Sequence, residues 1–185
     1  MAIVKLYSSV RERVQELVPN ERVTRVRTLL WMMCGMVYSR SVHLSAIAQR
    51  IPGVQKKLAK KLSKVQRLAR WLDNEHVDVR VWYEPLARGL LTAAWRSRGQ
   101  VRLVIDATRV SQQHQLLMVA LTYRRRTLPI AWTWVQCRKG HSSGPAQEAL
   151  FAYIRQLLPP QAAVLVLGDS EFTPCLLYTS DAADE

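Results

Sequence analysis

The clearest strand signal in the sequence lies at residues 101–106, which read VRLVID. A short run of aliphatic and β-branched residues is typical of a buried strand. A second such run, AVLVL at residues 163–167, leads into Gly168 and Asp169. Solid apolar runs are typical of central parallel strands. We therefore expect these two strands to be neighbours in one sheet, each followed at once by an aspartate, Asp106 or Asp169.

The stretch between these two strands predicts two further strands and a helix. Residues 115–123 and 128–136 alternate like strands, with a hairpin loop at 124–127. Ser143-Gly144-Pro145 opens a helix, which Pro159-Pro160 ends. A helix before the last strand is the crossover that a parallel connection needs. The order is thus strand, strand, strand, helix, strand, and the predicted fold class is α/β in the broad sense, with segregated helices as in α+β.

Side chains on the predicted sheet suggest a metal site and an aromatic pair. If the first and fourth strands are neighbours, Asp106 and Asp169 meet at one edge, where two carboxylates repel unless a cation lies between them. Hard oxygen ligands select Mg²⁺ or Mn²⁺. Trp132 and Trp134 share a sheet face, and we predict that they are core residues, with base stacking as the alternative. A sheet that ends after its fourth strand predicts exposed apolar surface.

Residues 1–98 have a helical period and a strongly basic composition. Helices are predicted around residues 44–51, 54–72 and 79–95, with a break at Pro52-Gly53. The second has an apolar stripe of Leu58, Leu62, Val65, Leu68, Ala69 and Leu72. Two short helices joined by a tight turn suggest a helix-turn-helix, whose second helix would contact DNA. Its basic residues are Lys56, Lys57, Lys60, Lys61, Lys64, Arg67 and Arg70. A solvated basic face and an amphipathic membrane helix are the alternatives.

Composition limits the class of protein. The chain has 185 residues and a formal net charge of +13, from 27 basic and 14 acidic residues, which points to a polyanionic partner. Its 49% apolar content excludes wholesale disorder. Cys34, Cys137 and Cys175 lie far apart, which disfavours a disulfide framework or zinc site and fits a reducing compartment. The longest apolar run, residues 29–38, is too short to span a bilayer and predicts a buried core helix instead.

The last eleven residues, CLLYTSDAADE, do not continue any earlier pattern. They resemble translated adapter DNA from sequencing libraries, and we treat them as a non-native tail that is excluded from the fold. The predicted organisation is therefore a basic helical domain at 1–98, a strand-rich domain at 99–174, and the tail at 175–185; the resemblance described next implies that the first binds DNA and that the second is the first part of a catalytic domain. A native acidic tail is the alternative.

The sequence resembles the DDE transposases of insertion sequences, specifically the family numbered four, whose catalytic domain has the ribonuclease-H-like fold. The resemblance covers most of residues 20–174. The segments that carry it are VQRLARWL (65–72), VIDATRV (104–110), LPIAW (128–132), KGHS (139–142) and VLGDSEF (166–172). It implies an N-terminal helical DNA-binding bundle followed by an incomplete ribonuclease-H-like mixed sheet.

The resemblance also implies a catalytic site. Asp106 and Asp169 match the first two of three carboxylates that hold two divalent ions, Mg²⁺ or Mn²⁺. The third, a glutamate on a downstream helix, has no counterpart here, since Glu171 is only two residues beyond Asp169 and the family's Y-x2-R-x3-E-x6-K signature is absent. We expect the full-length relative to cut and join DNA, and this chain to be inactive.

The implied partners are the inverted-repeat ends of a transposon and its target DNA, with a homodimer as the full-length assembly. We expect Arg109, Lys139 and His141 to contact the DNA backbone near the metals. The implied location is the bacterial cytoplasm, at the nucleoid, and not a membrane. One alternative is a DNA-binding module without catalysis, which could act as an inhibitor of the full-length enzyme. The other is a ribonuclease-H-type nuclease, for which the required nearby acids are not visible.

Overall fold

The computed structural model describes residues 2–51, 58–136, 144–169 and 172. It confirms a mixed helix and sheet architecture of the α+β kind. The chain divides into two compact units, Met1–Pro85 and Leu86–Glu185. The helices are α1 (Ala2–Leu17), α2 (Val23–Ser39), α3 (Leu44–Arg50), α4 (Leu58–Leu72), α5 (Val79–Arg98) and α6 (Gly144–Leu157). The strands are β1 (Gln100–Arg109), β2 (His114–Tyr123), β3 (Arg126–Gln136) and β4 (Ala163–Leu167).

The core of the first unit lies where α2, α3 and α4 pack against one another. Its fully buried members are Met32 from α2, Ile47, Ala48 and Ile51 from α3 and its end, and Leu68 from α4. Burial of these side chains is what stabilises three short helices that are marginal alone. The apolar run at residues 29–38 is thus part of a core helix, as predicted, but it is not buried throughout, since Met36 and Val37 are 37% and 64% exposed.

The apolar stripe of α4 is shorter than the sequence predicts. Val65, Leu68 and Trp71 pack on the core. Leu62 and Leu72 are 56% and 58% exposed, so their assignment to the buried stripe is wrong. The core residues of this unit come from α2, α3 and α4, and neither Leu62 nor Leu72 is among them or packed against them.

The second unit contains a four-stranded mixed sheet in the order β3-β2-β1-β4. The pairs β1–β2 and β2–β3 are antiparallel, whereas β1 and β4 are parallel, as predicted. Helix α6 supplies the crossover and packs on β3 through its buried side. Leu103 and Ile105 of β1 are buried and line the same cavity as Ile154 of α6. Alternation along β1 therefore places Asp106 on the opposite face of the sheet.

Element boundaries differ from the sequence prediction at two connections. The hairpin between β2 and β3 is tighter than expected, because Tyr123 pairs with Arg126 and only Arg124 and Arg125 form the turn. Helix α5 continues to Arg98, so that Gly99 alone separates it from β1. Gly99 has φ +66°, a left-handed conformation that glycine adopts without steric cost and that ends the helix.

The fourth strand exposes apolar surface, which confirms the prediction for this sheet. Val164 and Leu165 are each 39% exposed, and Leu167 is 48% exposed. They lie on an edge strand that pairs only with β1. Within the described ranges, none of the helices combines the length and the apolar character needed to cross a bilayer.

Candidate functional site

Asp106 and Asp169 follow the paired part of two neighbouring parallel strands. The register between β1 and β4 runs from Gln100↔Ala163 to Val104↔Leu167. Each aspartate lies two residues beyond that last pair, Asp106 still within β1 and Asp169 in the segment that follows β4. Because neighbouring strands are about 4.8 Å apart, this equal offset brings both residues to one edge of the sheet. Both aspartates are exposed.

Gly168 explains how the chain leaves β4 so close to β1. A Cβ added at this position would come within 2.8 Å of Ile105 Cγ2 and 3.2 Å of Phe172 Cβ. The backbone of Gly168 therefore lies directly against the side chain that precedes Asp106. Only a glycine permits this approach, and it holds Asp169 beside the end of the β1–β4 pairing.

The surroundings of Asp106 combine one hydrogen bond with an apolar row across the sheet. Its Oδ1 accepts a hydrogen bond of 2.8 Å from the backbone N–H of Ala107. Across β2 and β3, Met118 pairs with Asp106 and Trp132 pairs with Met118. Trp134 lies two residues further along the same face and is 59% exposed, so its assignment to the core is wrong. An exposed tryptophan thus lies on β3, two strands away from Asp106.

The donor set at this edge fits a hard divalent cation but is small. Two exposed carboxylates offer the oxygen ligands that Mg²⁺ and Mn²⁺ prefer. In the part of the chain that the structure describes, no group of three or more His, Cys, Asp or Glu side chains is placed to hold a metal ion. Asp106 and Asp169 are therefore a pair of ligands rather than a complete site.

The other residues predicted to lie near this edge divide into described and undescribed positions. Arg109 ends β1, three residues beyond Asp106, and its Nε donates a hydrogen bond of 3.1 Å to the carbonyl oxygen of Ser111. That bond fixes the Arg109 side chain along the turn between β1 and β2. Lys139 and His141 lie outside the described residues.

The basic residues predicted on the second helix of the helix-turn-helix are only partly described. Lys64, Arg67 and Arg70 lie on α4 within the described range. Lys60 and Lys61 are on the same helix, but the structure does not describe their side chains. Lys56 and Lys57 lie outside the described residues altogether. Arg67 is not simply a solvated charge, since its Cζ lies 5.5 Å from the centroid of the Trp31 ring.

Sequence reasoning missed the contribution of α2 to this basic surface. Arg27 of α2 also stacks on Trp31, with its Cζ 5.4 Å from the ring centroid. The spacing of Arg27 and Trp31, four residues apart on one helix, is a signal that the sequence contains. The partner from α4 carries no such local signal, because the contact between Arg67 and Trp31 depends on how the helices pack.

Comparisons with family models, with curated proteins and with solved structures found no match to this chain. Function is therefore inferred from the residues themselves. The two features available for that inference are the pair of aspartates at the β1–β4 edge and the basic surface of α2 and α4. They belong to different compact units of the chain.

Proposed function

We propose that this chain carries the DNA-binding module and the first two catalytic carboxylates of a DDE transposase with a ribonuclease-H-like catalytic domain. The observation that carries the proposal is the equal offset of Asp106 and Asp169 beyond the last β1–β4 pair. The crossover through α6 and the parallel pairing support the same layout. Sequence segments around both aspartates resemble those of the insertion-sequence family, which makes DNA strand cleavage and transfer the expected chemistry.

The role of the two aspartates is to hold Mg²⁺ or Mn²⁺ against the DNA backbone. When bound at such a pair, divalent ions lower the pKa of an attacking water or 3′ hydroxyl and stabilise the leaving oxygen. In this proposal Asp106, on β1, and Asp169, just after β4, supply the negative oxygen ligands. The close packing of Gly168 on Ile105 holds the start of the Asp169 segment against β1.

The proposed partner is double-stranded DNA, both transposon ends and target, bound by the basic helical unit. Residues 1–100 contain 19 basic and 7 acidic residues, a net +12. Phosphate neutralisation by the basic residues of α4 supplies sequence-independent affinity that falls with salt. A homodimer and a bacterial cytoplasmic location complete the proposal for the full-length enzyme. The Y-x2-R-x3-E-x6-K segment is not among these 185 residues, so metal binding tests this chain more directly than cleavage does.

Metal binding to the intact chain is the decisive experiment. Mn²⁺ is titrated into the wild type and into Asp106→Asn and Asp169→Asn variants, and free Mn²⁺ is measured by electron paramagnetic resonance. Each variant is expected to lose the tightest binding event, because one carboxylate alone holds the ion weakly. Asp73→Asn is the matched control, since Asp73 is an exposed aspartate at the end of α4. Equal Mn²⁺ binding by the wild type and both site variants would remove these residues from a metal site.

The Mn²⁺ titration, combined with a duplex DNA binding assay at several salt concentrations, separates the main alternative. A wild type that binds duplex DNA in a salt-dependent way but has no Mn²⁺ site at Asp106 and Asp169 would be a DNA-binding module without catalysis. A wild type that does neither would exclude both functions.

A further inference from the structure

A basic cleft opens between α2 and α4 of the first unit. Its volume is about 270 Å³, and its eight lining residues include four arginines and no acidic residue. The cleft is smaller than the roughly 300–1,000 Å³ of pockets that hold drug-sized ligands. A concave site of this size and sign fits a single small anionic group rather than a whole nucleotide.

Three of the four arginines have no carboxylate partner among the residues that the structure describes. The side chain of Arg25 pairs with Glu21, with Nη1 and Oε1 3.2 Å apart, and both side chains are largely buried. Across the described ranges, no carboxylate pairs with Arg27, Arg67 or Arg70. Unpaired like charges gathered at one cleft repel each other, and an anion bound among them would relieve that repulsion.

The Trp31 ring holds two of these charges together. Arg27 and Arg67 come from different helices, yet their Cζ atoms lie 5.4 and 5.5 Å from the same ring centroid. The two guanidinium groups are therefore no more than about 11 Å apart. Stacking fixes the planes of guanidinium groups and leaves their N–H edges available, which is the form in which arginine binds phosphate oxygens in pairs.

The walls of the cleft are held in place by contacts between α2 and α4. The indole Nε1–H of Trp71 donates a hydrogen bond of 3.1 Å to the carbonyl oxygen of Arg25. The same ring meets the Trp82 ring edge-on, at 5.8 Å between centroids and 85° between planes. The cleft is consequently preformed, so that binding does not have to order its backbone.

The start of α2 adds a second attraction for anions. Thr24, in the first turn of α2, lines the cleft. That turn contains no acidic residue, and Arg22 at the N-cap makes no side-chain capping bond. The positive end of the helix dipole is thus directed towards the side of the cleft where Thr24 lies.

We infer that this cleft binds one backbone phosphate of duplex DNA, with Arg27, Arg67 and Arg70 sharing that phosphate. The inference rests on the proposed DNA-binding function and adds to it α2 as a second wall of the DNA interface. It also changes the role of Arg67 and Arg70, which act with Arg27 rather than as independent charges along one helix.

The test measures how the affinity for DNA depends on salt. Fluorescence anisotropy of a labelled duplex is recorded with the full chain between 50 and 200 mM salt. Each phosphate that is neutralised contributes about 0.9 to the slope of log K against log salt, which is about 3.5-fold in affinity over this range. Arg27→Ala, Arg67→Ala and Arg70→Ala are each expected to lower the slope measurably, by at most one such unit, because two arginines still face the phosphate. The triple variant is expected to lower it by about the same unit rather than by three, because the phosphate is shared.

Controls separate a lost contact from a lost fold. Arg11→Ala removes an exposed arginine of α1, outside the cleft, and is expected to leave the slope unchanged. Circular dichroism checks that each variant is folded. Arg27→Ala and Arg67→Ala each remove a guanidinium group that stacks on Trp31, so if that loss unfolds these variants, Arg70→Ala still provides the test. Unchanged slopes in folded variants would overturn the inference and leave DNA binding intact. A threefold loss in the triple variant would overturn the shared phosphate, and a wild type without salt-dependent binding would overturn both proposals.

Discussion

The backbone of Gly168 lies against the side chain of Ile105, since an added Cβ at residue 168 would approach Ile105 Cγ2 to 2.8 Å. This contact positions the exit from β4, and with it Asp169, beside β1. Gly168→Ala is expected to destabilise the chain by about 1–3 kcal/mol through overpacking. It is also expected to weaken Mn²⁺ binding, because Asp169 would move away from Asp106. Urea unfolding and the Mn²⁺ titration measure the two effects.

A double-mutant cycle shows whether Ile105 causes the effect of Gly168→Ala. Ile105→Ala removes the methyl group that the new Cβ would meet, so the two substitutions should couple by about 0.5–3 kcal/mol. Ile105→Val keeps a γ methyl group at the contact and is the matched control, with little relief expected. Additive free energies in the Ile105→Ala background would show that the glycine is not required by this contact.

A comparison of two helical glycines tests the packing of α2 on α3. A Cβ at Gly35 would meet Ile47 Cγ2 at 2.6 Å and the Ile47 carbonyl oxygen at 3.1 Å. Gly89, in α5, has no atom within 4 Å of its added Cβ. Gly35→Ala should therefore cost about 1–3 kcal/mol by overpacking. Gly89→Ala should stabilise by roughly 0.5–1 kcal/mol, because alanine is the better helix former. Thermal unfolding of both variants checks the opposite signs, and equal signs would contradict the described packing.

The sheet shows which features of the fold could be predicted from sequence. Residues 163–167 were predicted as a strand and match β4, because a solid apolar run bounded by Pro159-Pro160 and Gly168 has few other interpretations. The parallel pairing of β1 with β4 followed from the crossover rule. Exposure of Trp134 could not be predicted, since alternation assigns a residue to a face but does not say whether another layer covers that face.

The basic cleft was beyond sequence reasoning for a different reason. Lysines and arginines of residues 56–70 are evident as a charged stretch, and that stretch was assigned to DNA as one helical face. The pairing of Arg27 with Arg67 around Trp31 joins residues forty positions apart through tertiary packing. Local patterns identify charge, whereas the cleft depends on which helix faces are brought together.

The β2–β3 hairpin contains a strained residue that a substitution can relieve. Arg124 has φ +55°, a left-handed conformation that costs a non-glycine residue about 1–2 kcal/mol. Arg124→Gly is therefore expected to stabilise the chain by up to about 1 kcal/mol, after the loss of its stacking on Tyr123 and the added freedom of the unfolded glycine. Arg125→Gly is the matched control in the same turn, and since Arg125 does not have positive φ it should destabilise by roughly 0.5–1 kcal/mol. Urea midpoints in the reverse order would contradict the turn geometry.

The thiol of Cys34 reports on the integrity of the helical core. Cys34 is 2% exposed, and burial raises the pKa of its thiol above the ordinary value. In a Cys137→Ser/Cys175→Ser variant, iodoacetamide should modify native Cys34 roughly 10³-fold or more slowly than in urea, because reaction awaits unfolding.

The raised pKa of Cys34 also makes the stability of the fold depend on pH. The buried neutral thiol stabilises the native state fully at pH values below the pKa of the unfolded thiol, about 8.5. This stabilisation is lost as pH rises through the pKa of the native thiol. Stability measured from pH 7 to 10 should therefore fall more steeply in this variant than in one that also carries Cys34→Ala. Rapid native modification, or parallel pH profiles, would place Cys34 outside the core.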